Sequence, residues 1–109
     1  MNSLQNPPQD QVTRYFATEV RNRLGSHVKE IRLFGSRARG DADKDSDYDM
    51  LVVVDEKTAD IRSTILDVEV ELMDLYGTLV TSIVQSEATW KNNQRFPLAL
   101  NIAREGLSL

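Results

Sequence analysis

The amino-acid sequence predicts a small α/β (α+β) domain, in which a mixed sheet of about three strands packs against helices. Two observations support this prediction. Some segments carry apolar residues at intervals of three or four, which is the period of a helix face. Short runs rich in Val and Ile separate those segments and are typical of strands. Because helix and strand patterns alternate along the 109 residues, we expect a sheet covered by helices.

The N-terminal region has a polar segment followed by a helical pattern. Residues 1–9 are predicted to form a flexible tail, and residues 10–109 a single domain. Asp10 is suited to cap the first helix, and Gly25 to end it. The inner face of this helix is predicted to consist of Val12, Phe16, Val20 and Leu24.

Two predicted strands flank a polar segment. Residues 27–34 alternate loosely between apolar and polar types and predict a strand, after which a turn leads into a short helical piece. Residues 41–47 predict a polar, Asp-rich loop. The segment 48–54 predicts the strongest strand, and its nearly continuous apolar run indicates burial on both faces.

The C-terminal half predicts a long helix, a third strand and two further helices. Thr58 is expected to cap the long helix, which runs to about Tyr76 and ends at Gly77. Its inner stripe is predicted to be Ile61, Ile65, Val68, Leu72 and Tyr76. The third strand is expected at residues 79–84, followed by a short helix and by a last helix that begins at Pro97.

Composition excludes several kinds of chemistry. The chain has no cysteine, so disulfides, thiolate zinc sites and cysteine nucleophiles are excluded, and the single histidine, His27, excludes a multi-histidine metal site. The net charge of −4 opposes binding to nucleic acid by overall electrostatic attraction. No long apolar run or leader pattern is present, which predicts a cytoplasmic protein without membrane contact.

The first chemically informative feature is Gly35–Ser36, at the end of a predicted strand. A glycine lets a ligand approach the backbone, and a turn that opens into a helix directs free amides at one point, which suits phosphate oxygens. Arg37 and Arg39 lie close by and could meet further phosphate oxygens or an acidic partner. A P-loop is excluded because Asp41 stands where its lysine is required.

The second feature is a pair of carboxylates, Asp47 and Asp49, at the start of the strongest strand. Residues two apart on a strand face the same side, so the two carboxylates project together and repel each other. A divalent cation would compensate their charge, and magnesium binds through one or two carboxylates plus substrate phosphates. Asp41, Asp43 and Asp45 are expected to form a solvated acidic turn.

These two features together resemble the signature of the DNA polymerase beta-like nucleotidyltransferase superfamily. The resemblance is most specific to the minimal nucleotidyltransferases, whose pattern is G-S-x-A-R-G-x(5)-S-D-x-D. Every fixed position agrees with this pattern: Gly35, Ser36, Ala38, Arg39, Gly40, Ser46, Asp47 and Asp49.

The resemblance implies a nucleotidyltransferase core fold and a set of site residues. The nucleotide-binding residues would be Gly35, Ser36, Arg37, Arg39 and Ser46. The catalytic residues and metal ligands would be Asp47 and Asp49, with Mg²⁺ as cofactor and ATP as substrate. The resemblance further implies an antitoxin that transfers AMP to a tyrosine hydroxyl of a HEPN ribonuclease toxin, which would be its protein partner.

One departure from the superfamily keeps alternatives open. The next strand usually carries a third carboxylate, but residues 78–85 contain no acid. Glu71 or Asp74 on the preceding helix could reach the site, although a surface position is the simpler interpretation, and the helix acids Asp60, Asp67 and Glu69 are also expected to be solvated. A catalytically weak or inactive antitoxin that acts by binding alone is therefore the alternative. Transfer to a small molecule is less favoured, because the chain lacks an acceptor-binding helical domain.

Overall fold

The structure is a computed structural model that describes residues 10–43 and 46–109. The predicted tail at residues 1–9 and the predicted turn residue Asp45 therefore lie outside the described residues. The helices are α1 (Gln11–Leu24), α2 (Ser36–Arg39), α3 (Ala59–Tyr76), α4 (Glu87–Asn92) and α5 (Pro97–Glu105), with a 3-10 turn at Gly25–His27. The strands are β1 (Val28–Phe34), β2 (Tyr48–Val54), β3 (Val80–Ser86) and β4 (Leu107–Ser108).

The strands form one mixed sheet in the order β3-β2-β1-β4. β1 runs antiparallel to β2 and to β4, and β2 runs parallel to β3 through the crossover helix α3. This arrangement confirms the predicted fold class, but the sheet has four strands rather than about three. The additional strand, β4, has two residues that pair with Arg32 and Leu33, and so short a segment leaves no alternating pattern to detect.

The two faces of the sheet are covered unequally. On one face, Leu33, Met50 and Val52 pack in the main core with residues of α1 and α3. On the other face, Leu51 and Val53 pack in a smaller cluster with Ile102 of α5. The central strand is thus buried on both sides, as its continuous apolar run predicts.

The predicted helix ends are confirmed. Asp10 accepts a hydrogen bond from the Thr13 amide at 2.8 Å, and Thr58 accepts one from the Ile61 amide at 3.1 Å. Gly77 ends α3 in the left-handed conformation, with φ +62°. Pro97 is the first residue of α5.

Two local predictions are wrong at the junction of α3 and β3. Tyr76 is exposed rather than part of the inner stripe, because it lies in the last turn of α3 and contacts Tyr15 edge-on, with 6.4 Å between ring centroids. The third strand covers Val80–Ser86 rather than residues 79–84, since Thr78 and Leu79 connect Gly77 to the sheet. Among the described residues, no helix has the length and apolar character needed to cross a membrane.

Candidate active site at the ends of β1 and β2

Strand pairing brings the two parts of the motif together. β1 ends where β2 begins, and Phe34 is the register partner of Asp49. Gly35 follows Phe34 directly, so the turn that carries Gly35 and Ser36 lies beside the start of β2. The antiparallel pairing of β1 and β2 therefore brings the glycine and the carboxylates close together in space, although they are separated in sequence.

Gly35 contacts the Asp49 carboxylate so closely that no side chain fits between them. A Cβ atom at position 35 would overlap Asp49 Oδ2, and it would also lie 3.3 Å from Asp49 Cγ. Gly35 has φ +79°, a conformation that other residues adopt only with strain. The glycine is thus required both by its backbone conformation and by the position of the carboxylate.

Gly35 is followed by a single helical turn, α2. Gly35 O accepts hydrogen bonds from the amides of Ala38 and Arg39, both at 3.1 Å, which closes the single turn of α2. The first amides of a helix have no partner within that helix. The Ser36 amide and hydroxyl are in this first turn, and Gly40 ends the turn with φ +84°.

The electrostatics of Asp49 favour a bound cation. Asp49 is half-buried, and its burial, followed by the charge of Asp47, raises the pKa of its carboxyl. Arg39 opposes this shift only in part. Two nearby carboxylates supply hard oxygen ligands, which fit Mg²⁺. The described part of the chain has no group of three or more His, Cys, Asp or Glu side chains that could hold a metal ion, so other ligands would have to come from substrate and water.

Arg37 organises the start of β2. Its guanidinium donates hydrogen bonds to the Ser46 carbonyl from Nε at 3.2 Å and from Nη2 at 2.9 Å. The same guanidinium lies 4.3 Å from the centroid of the Tyr48 ring. The Ser46 hydroxyl accepts a hydrogen bond from the Asp43 amide at 3.1 Å. Arg37 and Ser46, predicted as nucleotide ligands, thus hold the loop in front of Asp47 in this structure.

Arg39, the other arginine predicted to bind the nucleotide, has acidic partners. Its Nε lies 3.1 Å from Asp41 Oδ2, and its Nη1 lies 3.2 Å from Glu105 Oε1 at the end of α5. These hydrogen bonds raise the pKa of Arg39, with Asp41 contributing most. The guanidinium remains partly exposed beside Asp49, so it is placed to meet an anionic ligand if it exchanges one of these carboxylates.

Tyr48 is a site residue that the sequence pattern does not reveal. Its hydroxyl donates a hydrogen bond to Asp10 Oδ2 at 2.5 Å, and its ring contacts Arg37. Burial, followed by Asp10, raises the pKa of Tyr48 to about 12. Tyr48 lies between Asp47 and Asp49, so this anchoring fixes the strand on which both carboxylates stand. In the sequence, Tyr48 is an aromatic residue flanked by two acids, and this pattern is equally typical of an ordinary core residue.

β3 carries no acidic residue beside the aspartate pair. Thr81 is the register partner of Asp49 in β3, and its side chain is exposed. Glu71 does not replace the missing acid, because it accepts hydrogen bonds from Tyr15 at 2.6 Å and from Arg23 at 2.7 Å. Asp74 is exposed on α3. The interpretation of Asp74 as a surface charge agrees with the structure, and Glu71 is instead a link between α1 and α3.

Glu69 is not solvated as predicted. It is half-buried beside Ser82, and burial raises the pKa of its carboxyl, which Ser82 and Arg62 offset in part. Its Oε2 atom and Ser82 Oγ are buried without a hydrogen-bond partner. Ser82 pairs with Met50, whose side chain belongs to the main core, whereas Asp49 faces the opposite side of the sheet. Glu69 is therefore not a ligand of the candidate site.

A cleft lies at the other end of the β1–β2 pair. It has a volume of about 630 Å³ and its lining includes His27, Asp55 and Thr58. His27 Nδ1 lies 2.9 Å from Asp55 Oδ2, and the pKa of the Asp55 carboxyl is lowered, chiefly by this contact. The Asp55 carboxylate thus already has a side-chain partner in His27. Chemistry rather than volume decides between the two places, and it favours the end with Gly35 and Asp49.

Comparison with known proteins gives a consistent result. The model of the nucleotidyltransferase domain family matches residues 13–99. A protein of Methanocaldococcus jannaschii, provisionally named a protein adenylyltransferase, is 30% identical over 98 residues, which are 90% of this chain and 94% of that protein.

Solved structures share the fold. One, described provisionally as a minimal nucleotidyltransferase, is 25% identical with a TM-score of 0.58, and the match covers 94% of this chain and 99% of that one. Another, a toxin–antitoxin crystal structure with AMP-PNP, is 15% identical with a TM-score of 0.60, and the match covers 91% of this chain and 72% of that one.

Proposed function

Because the chain belongs to the nucleotidyltransferase domain family, we propose that it is an antitoxin that transfers AMP from ATP to a tyrosine hydroxyl of a HEPN ribonuclease toxin. The observation that carries this proposal is the contact between Gly35 and Asp49, since it joins a phosphate-binding turn to a pair of carboxylates. The name of the Methanocaldococcus jannaschii relative supports a protein as acceptor. The toxin–antitoxin structure with AMP-PNP supports a toxin partner and an adenine nucleotide.

The roles of the site residues follow from their positions. Asp47 and Asp49 would hold Mg²⁺, and the backbone at Gly35 and Ser36 would bind the β- and γ-phosphate oxygens. When bound, magnesium would neutralise triphosphate charge and polarise the reacting phosphate. Arg39 would bind a phosphate oxygen in place of Asp41 or Glu105, and Arg37 with Ser46 would keep the loop ordered around the nucleotide.

The proposed reaction is an in-line displacement at the α-phosphorus of ATP. The tyrosine oxygen forms a bond to this phosphorus, the bond between the α-phosphorus and the bridging oxygen breaks, and pyrophosphate leaves. The tyrosine proton passes to solvent or to a base of the partner, because Thr81 provides no carboxylate on β3. The domain spanning residues 10–109 would thus form the nucleotide half of the site, and the toxin the acceptor half.

The direct test is to incubate the purified chain with a HEPN toxin, ATP and Mg²⁺ in cytoplasm-like buffer and to weigh the toxin by intact mass spectrometry. We expect an AMP-sized increase that a Tyr→Phe change at the acceptor abolishes. Asp49→Asn and magnesium chelation should both prevent it. An unmodified toxin under conditions in which the two proteins bind each other would exclude the proposed reaction.

The second candidate is an antitoxin that neutralises the toxin by contact alone, and Thr81 opposite Asp49 is the observation that favours it. In that case the folded double variant Asp47→Ala/Asp49→Ala would still protect cells that express the toxin. If AMP transfer is the protective event, the same variant loses protection while it still co-purifies with the toxin. Cell growth and co-purification, measured together, separate the two functions.

A further inference from the structure

Helix α3 has a second apolar stripe that faces solvent. Leu66, Val70 and Met73 are 52%, 53% and 43% exposed. Their spacing of four and three residues places them on one line along the helix. The opposite side of α3 already packs in the core through Ile61, Ile65, Val68 and Leu72. The outer line is therefore an addition to the stripe that the fold requires, and exposed apolar surface of this kind marks interaction sites.

Acidic residues flank this line. Asp67 and Asp74 directly follow Leu66 and Met73, so at about 100° per residue they lie along one flank, and both are exposed. Arg62 lies one turn before Leu66, at the N-terminal end of the line. The flank that carries Asp67 and Asp74 is therefore the acidic side of this surface.

We propose that this surface, the α3 outer stripe (Leu66, Val70 and Met73 with the flanking Asp67 and Asp74), docks an amphipathic helix of a partner protein that carries Lys or Arg beside its apolar residues. An exposed line at helical spacing fits such a helix, and the flanking carboxylates select basic neighbours by charge complementarity. α3 covers the sheet face opposite Asp49, so docking there leaves the candidate active site accessible. The proposal therefore goes beyond the transfer reaction and does not depend on it.

A second copy of the chain is the competing occupant. Two α3 outer stripes would bring carboxylates against carboxylates, which opposes a symmetric dimer. Phe96, which directly precedes α5, and Leu100 within α5 lie one turn apart near Arg95 and Arg104, and this surface could meet α3 of another copy. Such a contact joins different surfaces and builds an open chain unless it closes into a ring. The net charge of −4 on every copy opposes this growth.

The binding test uses a defined probe and no nucleotide. The probe is a fluorescent amphipathic peptide of about 14 residues, with Leu at helical spacing and Lys on its flanks. The matched peptide carries Glu in place of Lys. We expect saturable binding of the Lys peptide by anisotropy, weaker binding at high salt, and no binding of the Glu peptide. Amide chemical-shift changes in the chain should be confined to α3 and its immediate neighbours.

Matched variants separate docking from general attraction between a cation and an acidic protein. Leu66→Gln/Met73→Gln should weaken binding by about tenfold, and Asp67→Asn/Asp74→Asn by about fivefold. Asp55→Asn/Glu56→Gln removes the same number of charges from the loop between β2 and α3, outside the α3 outer stripe, and should change affinity less than about twofold because exposed charges that do not touch the peptide are screened. All four α3 residues are exposed, so these variants should keep the fold.

Each alternative outcome overturns the proposal. Equal loss of binding in the Asp55/Glu56 control would show non-specific attraction, and shift changes beyond α3 and its immediate neighbours would show another surface. Concentration-dependent assembly in sedimentation experiments, abolished by Arg95→Gln/Arg104→Gln, would assign the α3 outer stripe to a second copy. Because none of these measurements involves ATP, failure of the docking proposal remains distinct from failure of AMP transfer.

Discussion

Two aspartates, Asp49 and Asp55, lie near opposite ends of β2 and differ in how their charge is matched. Asp55 lies beside His27, at 2.9 Å, and the pKa of its carboxyl is lowered. Asp49 lies beside Asp47 and against Gly35, and the pKa of its carboxyl is raised by burial and by that like charge. The carboxylate at one end of the strand thus has a stabilising hydrogen-bond partner, whereas the carboxylate at the other end is ionised at a cost to stability. Strained or unmatched groups are typical of functional sites.

The largest expected effect comes from Asp49→Asn. This change removes one of the two proposed magnesium ligands, so AMP transfer should fall by about 10²–10³-fold, the scale of several kcal/mol of charge stabilisation. At neutral pH the variant should also unfold at a higher temperature than the wild type, because an unfavourable charge is removed. Transfer by mass spectrometry and unfolding by circular dichroism measure the two effects.

Asp55→Asn is the control at the other end of β2. It should leave transfer unchanged within about twofold, since Asp55 lies at the end of the strand away from the site. It should lower the unfolding temperature slightly, which is opposite in sign to the effect at Asp49. A loss of transfer in Asp55→Asn equal to that in Asp49→Asn would contradict the assignment of function to the Gly35 end.

Gly35→Ala should disturb both the fold and the site. The new Cβ would overlap Asp49 Oδ2, and the backbone at φ +79° is strained for alanine. Gly25→Ala is the matched control, because Gly25 has φ +55° and no atom within 4 Å of its would-be Cβ. The difference in free energy of unfolding between the two variants should be about 1–3 kcal/mol in favour of Gly25→Ala. Equal destabilisation in urea titrations would show that the carboxylate contact costs nothing.

Thr81→Asp should strengthen the metal site. Thr81 is exposed and pairs with Asp49, so a carboxylate at this position would lie beside the two aspartates. We expect roughly tenfold tighter magnesium binding and faster transfer. Thr81→Asn introduces a side chain of the same shape as aspartate but without the charge, so it should leave magnesium binding and AMP transfer unchanged. Calorimetric titration with Mg²⁺ in the presence of a non-hydrolysable ATP analogue distinguishes the two variants.

Much of the fold was predictable because local signals agree with the tertiary structure. The four apolar residues of α1 at four-residue spacing are all buried, and the continuous run in β2 is buried on both faces. Asp10, Thr58 and Gly77 mark helix ends as their chemistry predicts. β4 and the exposure of Tyr76 were not predictable, since a two-residue strand has no period and Tyr76 contacts Tyr15 from a distant part of the chain.

The candidate site was predictable in its residue set but not in its internal contacts. The motif spacing identifies Gly35 and Asp49, but only the strand register shows that the two touch. The hydrogen bonds of Arg37 to the Ser46 carbonyl depend on how the loop folds back, and one-dimensional spacing does not encode this. The role of Asp10 in holding Tyr48 joins residues far apart in sequence, so only the tertiary structure reveals it.

The smallest expected effect, and the sharpest test of the comparison, is the dependence of stability on pH without magnesium. The raised pKa of Asp49 means that its ionised form is disfavoured in the folded state, so its penalty is present at neutral pH and disappears as pH falls through that pKa. The lowered pKa of Asp55 means the reverse: its stabilisation is present above the usual aspartate pKa and is lost as pH falls through the lowered value. At about pH 6, the wild type should therefore unfold at a lower temperature than Asp49→Asn and at a higher temperature than Asp55→Asn. Both differences should become smaller as the pH falls to about 3. Parallel curves for the two variants would mean that the ends of β2 do not differ in electrostatic character, and the case for a cation at Asp49 would lose its physical basis.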